Sequence, residues 1–389
     1  MGENKILNLD SITWNITAEM RIFMKRNIYM LCFVLITLLF LNGCGNKNGN
    51  QAANSTVQVP AGSTAPEAIP TPSGVKLKLQ DYFPMLKDTL YSYEGTGNEY
   101  ASYYLYNDYL NDNKVQQRIN NGGTEAIRVI ELKDGKLTRV FYRGEAYYKE
   151  NFLNAVEGDP EVLLMEPLVV GNFWTLKGSV KRTITNTEAE VTTPTGSYKA
   201  IEVTTDTPQG KTLDYYSKNV GLVKTVFKSG ELEVISTLKK IESNISHNST
   251  VNFYYPVKGS EKLHYASKKI AFKTNDITKK LLEEAYKSIA ETMLGEPASG
   301  NIKINSLYFN KDKIVYLDLN SAFVTEINKQ KAYEKAILQS VANTFGGYYN
   351  AENVILTIDN RNYKSDNTSM KKDEALKVRL EGCIRDEIK

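Results

Sequence analysis

Cysteine and histidine are almost missing from this chain. Its 389 residues hold three cysteines and two histidines. Cys32 lies inside an apolar N-terminal run, Cys44 closes that run, and Cys383 stands alone near the C-terminus. With the first two assigned to the N-terminal segment, no intramolecular disulfide is available, and the fold must rest on apolar burial. His247 and His264 fall in no HExxH or paired-His spacing, and no CxxC occurs. The usual zinc frameworks are therefore excluded, and neither a metal nor a cofactor is expected. Only a calcium or magnesium site of scattered carboxylates stays open. A GxSxG elbow is missing too, which removes the footing for a serine hydrolase. Nor is there an excess of one charge. The chain has 48 basic and 45 acidic residues, and 44 against 42 from Cys44 onward. No Lys/Arg cluster marks a nucleic-acid face, so no nucleic-acid partner is expected.

What is present begins at the N-terminus. Lys25 and Arg26 precede an uncharged run from Ile28 to Leu41, which ends in Leu41-Asn42-Gly43-Cys44. A basic flank, a short apolar segment, a small residue and a cysteine read as a bacterial lipoprotein signal peptide. The run is shorter than the roughly 20 residues a membrane span needs. The Cys44 thiol is the nucleophile that would accept a diacylglyceryl group, with cleavage just before it. The expectation is a signal over residues 1–43 and a mature chain tethered by Cys44 to the extracytoplasmic face of the cell membrane. Asn42 departs from the small residue usual at its position. Glu3, Asp10 and Glu19 are foreign to a signal's basic end, and Met24 (or Met20) makes a better translation start.

Residues 44–75 are mostly Asn, Ser, Thr, Ala, Gly and Pro, with Pro60, Pro66, Pro70 and Pro72 close together. Such a stretch buries no core and reads as a disordered tether. About 30 residues of it span on the order of 30 Å. Residues 76–245 read as a β-rich domain. Ala126–Tyr142 predicts two strands around the turn Lys133-Asp134-Gly135-Lys136. Strands are also predicted at Val180–Thr185, Ala189–Thr193, Tyr198–Thr204, Leu213–Ser217, Leu222–Phe227 and Leu232–Leu238, with one helix near Tyr148–Val156. A curved antiparallel sheet or sandwich follows.

A polar break over Glu242–Thr250 sets the domain boundary. Residues 250–380 alternate strands and helices, and residues 381–389 form a tail. Strands are predicted at Val251–Pro256, Leu263–Phe272, Ile304–Phe309, Ile314–Leu319 and Val354–Ile358. Ile277, Leu281, Ala285, Ile289 and Met293 recur every fourth residue, an apolar helical stripe that Asn275 or Asp276 can cap. A second helix is read over Ala332–Phe345, with Tyr333, Ile337, Val341 and Phe345 inward and Gly346-Gly347 as its stop. The fold class is α+β: an antiparallel β-rich domain, then a small α/β domain with two helices on a mixed sheet.

This second domain resembles a known family. The order of strands and helices, with Phe253-Tyr254-Tyr255-Pro256, Leu294-Gly295-Glu296-Pro297 and Lys313-Ile314-Val315-Tyr316-Leu317-Asp318-Leu319, is similar to the GerMN domain of GerM-like sporulation and spore-germination lipoproteins, clostridial type. The resemblance covers Val251 to Lys364. Asp359-Asn360 and Ser365-Asp366-Asn367 depart from the family's expected turn and Ser-Gly-His. It implies a non-enzymatic envelope lipoprotein, anchored by its N-terminal lipid, that contacts envelope or sporulation proteins or its own copies, with peptidoglycan as a further candidate partner.

Two other readings start from particular residues. Asp318 and Asp359 each end a strand, and paired carboxylates can hydrolyse glycans; the plainer reading is that both cap turns. Tyr100, Tyr103, Tyr104, Tyr106 and Tyr109, with Trp174, suggest a lipid or glycan carrier, against ordinary strand packing. Cys383, in a charged tail, reads as an exposed thiol rather than a nucleophile.

Overall fold

Hairpin after hairpin builds the first domain. The computed structural model describes residues 77–155, 159–294 and 300–387. The signal peptide, Cys44, the tether and the Met24 start lie outside the described residues. Strands β1 (Thr89–Thr96), β2 (Tyr103–Leu110), β3 (Lys114–Asn120), β4 (Glu125–Lys133), β5 (Lys136–Gly144) and β6 (Glu161–Met165) form one antiparallel meander. Strands β7 (Phe173–Thr175), β8 (Lys181–Thr193), β9 (Gly196–Thr207), β10 (Gly210–Ser217), β11 (Gly221–Ser229) and β12 (Leu232–Ser243) form another. Pairing of β1 with β12 joins them into a single twelve-stranded sheet.

Bulges interrupt the ladders of β1 with β12, β2 with β3, β4 with β5, and β8 with β9. Each extra residue increases the twist and bends its strand, so the sheet coils until its edges β6 and β7 meet. There side chains replace the ladder. Trp174 Nε1 and Arg182 Nη1 both donate to Val162 O, at 2.9 and 2.7 Å. The result is a near-barrel with Tyr91, Leu105, Val191, Val223 and Leu238 in its core. Val180–Thr185 and Ala189–Thr193 are one bulged strand, not two.

The expected helix near Tyr148–Val156 is not formed over the described residues. The backbone there finds partners far away instead: Lys149 N donates to Tyr348 Oη and Phe152 N to Gln116 Oε1. With those donors satisfied over long range, a helical turn has nothing to gain.

The second domain follows after a short link, since the polar stretch Glu242–Thr250 is largely strand. Strands β13 (His247–Pro256) and β14 (Leu263–Phe272) pair antiparallel. Helix α1 (Thr278–Leu294) leads to the β15 (Ile304–Phe309) and β16 (Ile314–Leu319) hairpin. Helices α2 (Ala322–Lys329) and α3 (Glu334–Tyr349) precede β17 (Asn353–Ile358), which lies parallel to β16. Short strands β18 (Arg361–Asn362) and β19 (Ala375–Lys377) pair with β17, and β20 (Ile384–Asp386) runs parallel to β14. The α+β class is borne out, with three helices rather than two among the described residues, and with two small sheets, β13-β14-β20 and β15-β16-β17-β18 with β19 on β17.

Three details differ from expectation. Neither Asn275 nor Asp276 caps α1: the Asn275 side chain bridges Leu110 N and O, and Asp276 Oδ2 accepts from Lys273 N. Tyr333 precedes α3 and is exposed. Helix α3 runs through Gly346-Gly347 and stops at Asn350 in the left-handed region (φ 53°). Gly346 is there for closeness rather than termination, since a Cβ would lie 2.2 Å from Val378 Cγ2. Among the described residues no helix is long and apolar enough to cross a membrane.

Candidate functional site

The residues that the sequence reading left unassigned are those that join the two domains. Asp108 sits in the bulge between Asn107 and Tyr109, opposite no residue of β3. A bulge re-aims its side chain, and here the Asp108 carboxylate enters the interior. Arg118 of β3 meets it at 2.9 Å, and both side chains are fully buried. The same guanidinium reaches Glu125 at 2.8 Å and donates to the carbonyls of Ala146 and Tyr148. Lys149 Nζ donates to Asp108 O at 2.8 Å and to Lys273 O at 3.1 Å, so one ammonium ties the barrel to the end of β14. It also lies 4.3 Å over the Tyr109 ring, a favourable cation–π placement.

The charges set one another's protonation. Burial alone would raise the Asp108 carboxyl, but Arg118 and Lys149 outweigh it and hold the group below its ordinary value. Burial draws Lys149 down. His247, its ring tilted against that of Tyr106 at 5.9 Å between centroids, is also lowered by burial and then by Arg118.

Apolar packing continues across the junction. One core runs from Tyr109, Ile127 and Phe141 of the barrel to Phe253, Phe272 and Tyr349. Tyr106 Oη donates toward Ile245 O and Phe272 O, and Tyr109 Oη pairs with Thr278 Oγ1. Tyr103 stacks on Tyr93 at 4.5 Å. These tyrosines are packing and junction residues, and Trp174 holds the barrel seam.

Glu150 lies at the same junction, accepting from Phe309 N at 3.3 Å. Burial pushes its carboxyl up from 4.5 to about 7, only partly offset by that N–H and by Arg143. A carboxyl whose folded value is raised contributes stability that is full below the unfolded value and is lost as pH climbs through the folded one. Urea melts are therefore expected to show a loss of roughly 2–3 kcal/mol between pH 4.5 and pH 7.5 from this group. Glu150→Gln should flatten that slope. An identical slope in the variant would disprove the assignment.

Asp318 and Asp359 do come together, through Asn305. Its Nδ2 donates to Asp318 Oδ2 at 2.9 Å and to Asp359 Oδ1 at 3.1 Å. Asp318 also accepts from Thr357 Oγ1 and Asn360 N, and Asp359 from Ser321 N. Asp359 and Asn360 both have positive φ, at 46° and 61°. The two carboxylates hold the turn after β17. His264 Nδ1 lies 3.0 Å from Asp386 Oδ2, which also accepts from Tyr255 Oη. Burial raises Asp386, but those two hydrogen bonds prevail and lower it. This trio pins β20 to β14. Cys383 lies beside Asn343 Nδ2 and Arg379 O and is only partly exposed, and burial pushes its thiol up.

A groove of about 770 Å³ opens between α1, α2, α3 and the ends of β13, β15 and β16. Phe323, Ile327, Val341 and Phe345 are among its walls, and Lys258, Lys287, Lys329 and Lys331 also line it. No sequence motif pointed to it, because its walls come from segments far apart in the chain.

Residues 252–364 match the Germane family, described as sporulation and spore germination. The match to a Germane domain thus lies within a residue of the limits the GerMN resemblance suggested. Two solved structures each cover 41% of this chain and 98% of their own. One is a protein from Bacteroides fragilis described as exported and of YmcC-like fold, at 16% identity and a TM-score of 0.29. The other is described as a lipoprotein from Parabacteroides distasonis, at 14% identity and a TM-score of 0.27. Similarity that low carries no argument about fold or role. No curated protein matches the chain.

Proposed function

We propose that this protein is a lipid-anchored extracytoplasmic adaptor in sporulation or spore germination, which binds other envelope proteins and catalyses no reaction. The Germane match over residues 252–364 is the observation that carries the reading. The Leu41–Cys44 pattern supports the anchor. Engagement of Asp318 and Asp359 in a turn supports a role other than glycan hydrolysis.

Part of two sheet edges is already engaged: Ile304 N of β15 donates to Glu283, and Tyr254 N of β13 donates to Thr344 Oγ1. The apolar turn beside the barrel seam suits a partner better, with Val169, Val170 and Phe173 each more than half exposed. Affinity capture from sporulating cells with the lipidated chain is expected to recover an envelope protein. Loss of that protein on changing all three residues to serine would support this surface. Recovery of no envelope protein would overturn the adaptor reading. For the anchor, labelled palmitate is expected to enter the wild-type chain and not Cys44→Ser; equal labelling would refute it.

A further inference from the structure

The groove in the Germane domain is an open cleft with a largely apolar lining and charged residues among its walls. Small-molecule sites run about 300–1,000 Å³, mostly apolar, with a few polar groups to orient the ligand. At about 770 Å³ this groove lies inside that range. The buried part of its wall is mostly Ile, Leu, Val and Phe, with Ile289, Ile304, Leu319, Phe323, Ile327 and Val341 each less than a tenth exposed, joined by two tyrosines, Tyr254 and Tyr255. The Tyr255 hydroxyl is already bonded to Asp386, so a sugar would leave most of its hydroxyls unpaired against such a surface, which is costly. An alkyl chain loses nothing there.

Charge at the rim narrows the choice. Four lysines line the groove against two glutamates, Glu283 and Glu326. Both acids are already engaged: Glu283 by Lys287 at 2.7 Å and by Ile304 N, and Glu326 by Lys329 at 2.9 Å. Lys258 has no ion-pair partner among the described residues. Lys331 pairs with Asp366 at 2.8 Å, but both are about half exposed, at 53% and 52%. Such an exposed pair is worth little and exchanges readily. The rim therefore presents one unpaired ammonium, Lys258, and one in a weak exposed pair, Lys331, over an apolar cleft.

We infer that this groove binds a single-chain anionic amphiphile, with its alkyl tail against Phe323, Ile327, Val341 and Phe345 and its carboxylate or phosphate head at Lys258 and Lys331. The assignment does not depend on the adaptor reading, since it concerns a ligand of the domain itself.

The test uses the chain from residue 44 to 389 with Cys44→Ser, titrated calorimetrically below micellar concentrations. Dodecanoate and dodecyl phosphate are expected to saturate one site. Dodecyltrimethylammonium, with the same tail and the opposite charge, should bind at least tenfold more weakly. Tighter binding of the phosphate would support a phospholipid-derived ligand, and tighter binding of the carboxylate a free fatty acid. The paired change Lys258→Glu and Lys331→Glu should weaken both anionic probes at least tenfold. Ile337→Trp, from a half-buried position on the wall, should abolish binding while the melting midpoint stays. Ile302→Trp, on the opposite wall, serves if the first variant does not fold. No saturable binding, equal binding of the cationic probe, or binding that survives a folded tryptophan variant would overturn the inference.

Discussion

Arg118→Ala is expected to lower the free energy of unfolding by about 3–5 kcal/mol. The magnitude follows from what is left behind. Asp108 would remain fully buried with its main countercharge gone, and the carbonyls of Ala146 and Tyr148 would lose their donor. Removing one partner of a buried pair costs far more than the pair is worth against an apolar substitute. At roughly 2–4 °C per kcal/mol, the melting midpoint should fall by about 10 °C. Asp108→Asn with Arg118→Met should recover only part of the loss: the buried carboxylate is gone, but Lys149, 4.0 Å from Asp108 Oδ1 and 1% exposed, then lacks its countercharge. A single variant within 1 °C of wild type (about 0.5 kcal/mol or less) would show that the guanidinium is solvated in solution. The acid limb has a definite sign as well. Asp108 is held below its ordinary value, so its contribution is present above the unfolded value and is lost as pH falls through the folded one.

Lys149→Met should cost about 3 kcal/mol, since two carbonyls lose a charged donor in a buried setting. Its more telling effect is on cooperativity. Wild type is expected to unfold in one transition, because one apolar core spans the barrel and the Germane domain. The ammonium is the polar tie between Asp108 O and Lys273 O. Without it, unfolding followed by tryptophan fluorescence should separate from unfolding followed by circular dichroism. Trp174 reports the barrel seam, whereas all three described helices belong to the second domain. Coincident transitions in the variant would mean that apolar packing and the remaining hydrogen bonds, such as those of Tyr106, Tyr109 and Asn275, suffice to couple the domains.

Local chemistry was legible wherever neighbours in sequence decide the conformation. The turn Lys133–Lys136 closes β4 onto β5 with Asp134 and Gly135 both at positive φ, as that dipeptide requires. Strand β14 begins and ends where its pattern indicated, at Leu263 and Phe272. The fourfold apolar spacing of α1 likewise marked a helix. Strands β1, β2 and β3 were harder. Residues 105–109 of β2 are all buried, so the alternation that identifies a half-exposed strand is missing. Asn275 and Asp276 looked like caps and serve other backbone groups. Gly346-Gly347 looked like a stop and lies within a helix, because Val378 needs the space.

By itself, the order of residues determined the β-rich half, the α/β half and the Germane limits, since strand alternation, turn residues and helical period are properties of adjacent positions. Only the tertiary structure decided that Asp108 faces inward, that Lys149 ties the two halves together and that a groove opens between three helices. Each of those depends on segments separated by tens to more than a hundred residues. Their meeting is set by sheet curvature and packing, which no local pattern encodes.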